Sequence, residues 1–128
     1  MEKEEIVTRT GKIWLGEDGI LRFIYSPGTE VTLTDTKENV AVASKIIKGK
    51  RLPALTDFRG LKSMTREARV YYSGEEVAKY VNAGAVVIGS PVSRIIGNFF
   101  MGLNKSIIPN RLFTSESQAI EWLKGFIE

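Results

Sequence analysis

Residues 85–103 of the chain read AVVIGSPVSRIIGNFFMGL, and this stretch decides the fold. Its first part, residues 85–89, is a continuous apolar run of the kind that forms a fully buried strand. Ser90 and Pro91 follow as a helix cap and a proline at the first helical position. Apolar residues then recur at helical spacing to the end of the stretch, and we expect this stripe to be buried. The stripe consists of Val92, Ile95, Ile96, Phe99, Phe100 and Leu103.

The same order of strand and helix occurs on both sides of this stretch. Upstream, residues 52–58 predict a short strand, a helix is expected to begin near Thr65, and Ser73-x-x-Glu76 resembles a capping box that restarts it. Downstream, residues 111–114 predict a strand, and Ser115-x-x-Gln118 opens a last helix. Strands that alternate with helices need crossover connections, so we expect a parallel sheet covered by helices.

The first third of the chain has a different pattern. Residues 8–15 and 20–25 are rich in β-forming residues and flank the turn Glu17-Asp18-Gly19, which predicts a β-hairpin. Asp35-x-x-Glu38 resembles a capping box, and the helix that it opens should end near Lys48. The chain is therefore expected to be one α/β domain over residues 1–128. Its mixed, mostly parallel sheet has about five strands, is covered by about four helices and opens with a hairpin.

This arrangement resembles the SpoIIAA-like fold of sulfate-transporter and anti-sigma-antagonist (STAS) domains. The segments that carry the resemblance are residues 55–59 (LTDFR), 91–100 (PVSRIIGNFF) and 111–123 (RLFTSESQAIEWL). The chain looks most like a group of small, uncharacterised bacterial STAS-like proteins, and the resemblance spans almost its whole length. The fold is also related to that of the lipid-binding CRAL-TRIO domains. The resemblance implies a fold group and carries no activity with it.

Composition excludes several classes of function. Among 128 residues there is no cysteine and no histidine, which removes disulfides, thiol nucleophiles, zinc sites and imidazole-based catalysis. We predict no metal and no cofactor. A net charge of +3 is too small, and too dispersed, for a nucleic-acid-binding surface. No apolar run approaches the roughly 20 residues of a membrane span, and the charged amino terminus is unlike a signal peptide, so a cytoplasmic protein is expected.

The segment from Asp57 to Arg66 is the first place to look for a site, because ligands of open α/β sheets bind beyond the carboxyl ends of strands. In STAS anti-sigma antagonists, a serine or threonine in this region is phosphorylated, which blocks partner binding. The equivalent position falls near Arg66, which cannot be phosphorylated. Ser63 and Thr65 are close enough to substitute, and Thr65 is favoured because it also resembles a helix cap. The simpler interpretation is that both residues only cap.

Charged side chains in the same segment allow two interpretations. Asp57 can orient the loop or bind a hard cation, but without acidic neighbours it is better explained as a structural carboxylate paired with Arg59. Arg59, Lys62 and Arg66 lie near a predicted helix start, where an anion such as a phosphate could dock. An ordinary solvated basic loop is the more common explanation.

The helix that begins at Pro91 offers a second candidate surface. The side opposite its apolar stripe carries Gly97, Asn98, Met101 and Gly102, and this side could meet a partner or form the wall of a lipid pocket. Close packing against a neighbouring element would explain it equally well. The aromatic residues that could line such a pocket are Trp14, Tyr71, Tyr72 and Tyr80.

These observations favour a non-enzymatic STAS-like domain that binds another protein, in regulation or signalling. The alternative is a carrier or sensor of a lipid or other apolar anionic ligand, held between the sheet and the helix that begins at Pro91. An enzyme would need Asp57 with Ser63 or Tyr72 to act without histidine or cysteine, which is the least favoured hypothesis. A homodimer through an exposed helix or edge strand is compatible with all three.

Overall fold

The computed structural model describes residues 5–103 and 107–127, apart from the side chains of residues 99, 100, 102 and 103. Strands and helices alternate through most of the chain. The strands are β1 (Ile6–Val7), β2 (Gly11–Leu15), β3 (Leu21–Tyr25), β4 (Thr29–Val31), β5 (Leu52–Asp57), β6 (Leu61–Met64), β7 (Val81–Val87) and β8 (Asn110–Phe113). The helices are α1 (Leu33–Ile47), α2 (Arg66–Tyr72), α3 (Glu75–Ala78), α4 (Pro91–Leu103) and α5 (Glu116–Lys124).

Six of the strands form one mixed sheet in the order β1-β2-β3-β5-β7-β8. The first three strands are antiparallel neighbours, and β3, β5, β7 and β8 run parallel to one another. The antiparallel pair β2 and β3 is the predicted opening hairpin, and the parallel strands follow because each is joined to the next by at least one helix. The predicted fold class is therefore confirmed, with a sixth strand at the edge.

Helices cover both faces of this sheet. Helices α1 to α4 pack on one face around a core that includes Phe23, Tyr25, Phe58 and Val86. Helix α5 packs on the other face, where its Ala119 and Leu123 contact Leu55 and neighbouring residues of β7. The main contacts of α5 are with β5, β7 and β8, so it lies over that part of the second face and not over the part that β2 and β3 form. No helix among the described residues is long and apolar enough to cross a membrane.

The start of α1 differs from the sequence-based expectation. The N-cap is Thr32, whose hydroxyl accepts a hydrogen bond from the Asp35 backbone N–H, while the Asp35 carboxylate accepts one from the Thr32 backbone N–H at 2.9 Å. Asp35 thus closes the capping box at the third helical position, and the predicted box of Asp35 with Glu38 does not form. The expectation failed because aspartate suits the first turn of a helix as well as its cap.

Ser73 also has a different role from the predicted one. It ends α2, donating from its hydroxyl to the carbonyl oxygens of Arg69 and Val70, and Gly74 rather than Ser73 is the N-cap of α3. Three other predicted caps are present. The hydroxyls of Thr65, Ser90 and Ser115 each accept a hydrogen bond from the backbone N–H three residues later.

A strand takes the place of the predicted polar loop after β5. Residues Leu61–Met64 form β6, which pairs in parallel with β4 in a separate two-stranded sheet. Leu61 and Met64 are buried in the core, while Lys62 and Ser63 between them are exposed. The two paired segments are short and about thirty residues apart, so no local sequence pattern predicts the pairing.

Candidate functional site

Asp57 ends β5, and its carboxylate is bound by the nearby Arg59. The Arg59 guanidinium donates from Nε to Oδ1 at 3.0 Å and from one terminal nitrogen to Oδ2 at 2.7 Å, and the Arg59 backbone N–H donates to Oδ1 at 2.9 Å. The same guanidinium lies 3.8 Å from a carboxylate oxygen of Glu116, at the start of α5. This is the structural pair that the sequence favoured, and it ties the end of β5 to α5.

A groove lies beside Asp57 on the part of the sheet that α5 leaves uncovered. It encloses about 500 Å³ and is lined by Trp14, Asp18, Arg22, Ile24 and Glu116 together with Asp57. The Arg22 guanidinium donates to both oxygens of Asp18 at 2.8 Å, and this hydrogen bonding lowers the pKa of Asp18. The arginine and aspartate side chains here are therefore occupied with each other.

The remaining residues of the predicted segment lie on a different layer. Leu61 and Met64 of β6 pack into the core on the α1 side of the sheet, whereas Asp57 faces the α5 side, two positions along the strand from Leu55. The structure therefore separates the segment into two groups, with Asp57 and Arg59 in one and the residues of β6 and the start of α2 in the other.

The second group consists of Lys62, Ser63, Thr65 and Arg66, all of which are exposed. Thr65 is the N-cap of α2, and its hydroxyl accepts a hydrogen bond from the Ala68 backbone N–H at 3.2 Å. The Ser63 hydroxyl has no hydrogen-bond partner among the residues described, and neither Lys62 nor Arg66 forms an ion pair with any of them. The Ser63 hydroxyl is thus free of hydrogen bonds to the described residues and the Thr65 hydroxyl is not, whereas the sequence favoured Thr65.

Helix α4 packs against β6 and α2, and part of its predicted apolar stripe faces water. Ile96 is buried as predicted, Val92 and Ile95 are exposed, and the side chains of Phe99, Phe100 and Leu103 lie outside the described residues. Ser93, Ile96 and Gly97 are buried, while Val92, Ile95 and Met101 expose 44%, 56% and 38% of their surfaces. A Cβ atom on Gly97 would lie 3.0 Å from Ile88 and 3.2 Å from Leu112, which is why glycine occupies this inward position.

The predicted partner face therefore changes in composition. Asn98 and Met101 are exposed as expected, Gly97 is not, and the surroundings of Gly102 lie outside the described residues. Val92 and Ile95 were expected in the core because the apolar residues of α4 extend over most of its circumference. The small size of Ser93 and Gly97 was the feature of the sequence that could have predicted the buried face, because small residues let a helix approach the sheet closely.

The aromatic residues proposed as a pocket lining do not meet at one place. Trp14 lines the groove on the α5 side, whereas Tyr72 and Tyr80 line an interior cavity on the α1 side. The Tyr72 hydroxyl is hydrogen-bonded to the Tyr25 hydroxyl, and burial raises the pKa of both phenols. Asp57, which an enzyme would need together with Ser63 or Tyr72, faces the α5 side of the sheet, whereas Ser63 lies on β6 and Tyr72 lines the cavity on the α1 side. Among the described residues, no three acidic side chains are grouped so as to hold a metal ion.

Comparison with known proteins agrees with this architecture. The chain belongs to the family described as "Domain of unknown function (DUF7793)", whose model matches residues 13–127. It is similar to the crystal structure of an uncharacterised DUF3478-family protein with a SpoIIAA-like fold from Shewanella loihica PV-4. That likeness has a TM-score of 0.52 at 14% identity and covers 95% of this chain and 92% of that one. The predicted SpoIIAA-like fold is thereby confirmed.

A second solved structure shares more of the sequence. It is a protein with unknown function from Arthrobacter sp. FB24, 31% identical, with 93% of this chain and 96% of that chain covered and a TM-score of 0.36. No curated protein matches the chain.

Proposed function

We propose that this member of the DUF7793 family is a non-enzymatic, protein-binding domain whose recognition surface is formed by β6, the start of α2 and the exposed side of α4. We call this the α4 surface, and it consists of Lys62, Ser63, Arg66, Val92, Arg94, Ile95, Asn98 and Met101. The observation that carries the proposal is the exposure of Val92, Ile95 and Met101 on one helix that packs against β6 and α2.

Helix α4 exposes more apolar surface than the isolated apolar side chains that are common on protein surfaces. Single exposed apolar side chains are common, but Val92 and Ile95 are three residues apart on one helix and expose 44% and 56% of their surfaces, so together they form an apolar patch that a partner would cover. Positions 92, 95 and 98 follow one another at helical spacing, so a partner can contact all three from one side. Burial of such side chains is the main source of binding free energy in protein interfaces.

The charges of the α4 surface indicate what kind of partner fits. Lys62, Arg66 and Arg94 are exposed and unpaired within the described part of the chain, and residues 91–103 contain no acidic residue. A partner that presents carboxylates around an apolar centre would therefore be attracted and oriented. We propose a protein segment with acidic and apolar side chains as the occupant of this surface.

Ser63 gives this surface a means of control. Its exposed hydroxyl lies beside Lys62 on the same strand and faces Glu30 across the β4–β6 pairing. A phosphoryl group would add between one and two negative charges at this point and would counteract the attraction of Lys62 and Arg66 for an acidic partner. Phosphorylation of Ser63 would therefore weaken binding. Thr65 is less suited, because its hydroxyl already caps α2.

The experiment that tests the proposal places a photo-crosslinking amino acid at position 95 or 62 and, as controls, at the exposed positions 45 and 48 of α1. In extracts of the native host, we expect one protein to be cross-linked from positions 95 and 62 and not from the controls. That protein, once purified, should bind the unmodified chain directly. Cross-linking that is equal from all four positions would contradict the proposal. Cross-links only between two copies of the chain would show that the surface is a homodimer interface instead.

The lipid-carrier alternative receives less support. A lipid chain needs an apolar pocket of several hundred Å³, and the interior cavity measures about 90 Å³. The groove of about 500 Å³ beside Asp57 is large enough, but charged side chains such as Asp18, Arg22 and Glu116 line it. The interior cavity also lies beneath α1 and α3 rather than beneath α4, and no charged residue lines it. These features argue against an apolar anion as the natural ligand.

A further inference from the structure

An interior cavity of about 90 Å³ lies between the sheet and helices α1 and α3, partly open to the surface. Most of its wall is apolar. The apolar residues that define it include Phe23 and Val86 from the sheet, Val40 and Ala43 from α1, Val77 from α3, and Ile108. None of the residues that line it is charged. The wall also includes the polar side chains of Asn39, Thr56, Tyr72, Tyr80 and Asn110.

Asn39 introduces a single unsatisfied polar atom into this wall. It lies on α1 next to Val40, is only 3% exposed, and lines the cavity. Its side-chain N–H₂ donates to the Thr10 hydroxyl at 3.1 Å. Its Oδ1 is buried and accepts no hydrogen bond from the described residues. A buried acceptor without a donor costs free energy, and a molecule that supplies the donor recovers it.

We propose that this cavity is a binding site for a small neutral molecule that has an apolar body and one hydrogen-bond donor, directed at Asn39 Oδ1. Walls without charged residues exclude ions, and the unsatisfied Oδ1 of Asn39 favours a molecule with an N–H or O–H group. An apolar cavity of about 150 Å³ accommodates benzene, and this smaller cavity of about 90 Å³, which is partly open to the surface, suits a molecule no larger than a five-membered ring. The site lies beneath α1 and α3, so it is independent of the α4 surface.

Two probes of nearly identical shape test the role of the acceptor. Pyrrole and furan are five-membered rings that differ in having an N–H donor or an oxygen in its place. Each is titrated into the isotope-labelled full chain while the Asn39 side-chain amide and the backbone amides of Val77 and Val86 are followed by NMR. We expect saturable shifts at these residues, with pyrrole binding about fivefold more tightly than furan. An absence of saturable shifts, or equal binding of the two probes, would overturn the proposal.

Variants of α1 locate the probe and keep the test decisive. Ala43→Val adds volume inside the cavity and should abolish pyrrole binding, whereas Ala41→Val on the exposed side of the same helix should leave it unchanged. If Ala43→Val fails to fold, Val77→Ile fills the cavity from α3. Asn39→Leu should remove the preference for pyrrole over furan. Pyrrole binding that survives the filling variants would place the molecule elsewhere and overturn the proposal.

Discussion

The Asp57 carboxylate and the Arg59 guanidinium form a two-pronged ion pair, with nitrogen to oxygen distances of 3.0 and 2.7 Å. The Arg59 backbone N–H donates to the same carboxylate, so three hydrogen bonds hold the turn that leaves β5. Asp57 is the residue that an open α/β sheet would most readily offer to a ligand. In this chain its oxygen atoms are instead occupied by the turn itself.

Replacing Asp57 should therefore affect stability and not binding. Asp57→Ala removes a mostly buried acceptor of three hydrogen bonds, and we expect the free energy of unfolding to fall by about 1 to 3 kcal/mol. Urea unfolding followed by circular dichroism measures this loss. Glu116→Gln is the control, because its half-exposed contact with Arg59 should contribute at most about 0.5 kcal/mol. Loss of partner binding in a folded Asp57→Ala protein would contradict the structural assignment.

Asp35 should give the chain a defined loss of stability in acid. Hydrogen bonds from the Arg9 guanidinium, and then from Thr32, lower the pKa of Asp35 from 3.8 to about 2. Because its folded-state pKa is depressed, the carboxylate stabilises the fold above pH 3.8, and this contribution is lost as the pH falls towards 2. Because the Arg9 side chain is 60% exposed, solvent screens the pair, and we expect the contribution to be about 1 kcal/mol.

Comparison with a variant isolates this contribution from those of other acidic groups. Asp35→Asn should be less stable than the wild type at neutral pH, and the two stabilities should converge between pH 4 and pH 2. Urea unfolding at a series of pH values measures the difference. If the difference in the free energy of unfolding between the two proteins does not change with pH, Arg9 and Asp35 are not coupled in solution.

Tyr25 and Tyr72 should behave as a coupled pair. Each phenol is the partner of the other, so Tyr25→Phe and Tyr72→Phe should each lower the free energy of unfolding by about 1 kcal/mol. The double variant should lose less than the sum of the two single variants. A double-mutant cycle from urea unfolding gives this coupling, and strictly additive losses would argue against the hydrogen bond.

The same two phenols predict a response to alkali. Burial raises the pKa of Tyr25 and Tyr72 above the ordinary value of 10.0, so their contribution to stability is complete below pH 10 and is lost as the pH rises above it. Phenolate absorbance should therefore show two tyrosines that ionise only as the protein unfolds. Ionisation of all four in the folded protein at their ordinary pKa would contradict the burial of this pair.

Replacing the neighbouring residues Ile95 and Ile96 of α4 by alanine should lower the free energy of unfolding by very different amounts. Ile96 is 6% exposed and packs in the core, so Ile96→Ala should cost about 2 to 5 kcal/mol. Ile95→Ala removes a side chain that faces water and should change the stability by less than about 0.5 kcal/mol. Thermal and urea unfolding of both variants decide the orientation of α4. Equal losses would mean that Ile95 is also packed in the core.

The sequence predicted the order of elements because each signal for it is local. Apolar strands, helical periodicity and the caps at Thr65, Ser90 and Ser115 all lie within a few residues of the structure that they determine. The parallel direction of the later strands followed from the crossover connections that the alternating helices provide. These local signals do not extend to pairing or packing between distant segments.

The features that the sequence did not predict all depend on such distant contacts. Strand β6 exists because it pairs with β4, and neither segment is long enough to be recognised alone. The orientation of α4 is set by the fit of Ser93 and Gly97 against the sheet, not by the position of its apolar stripe. The cavity beside Asn39 results from packing among residues of several elements, which no single segment encodes.

The central claim is that the α4 surface binds a protein with acidic and apolar side chains. Its most direct test is the affinity of the purified cross-linked partner, measured by calorimetry, for Ile95→Ser and for the double variant Lys62→Glu with Arg66→Glu. The matched control is Lys45→Glu with Lys48→Glu, which reverses two exposed charges on α1. We predict that both surface variants bind at least about tenfold more weakly while the control binds as the wild type does. Unchanged affinity in the folded surface variants would contradict the claim.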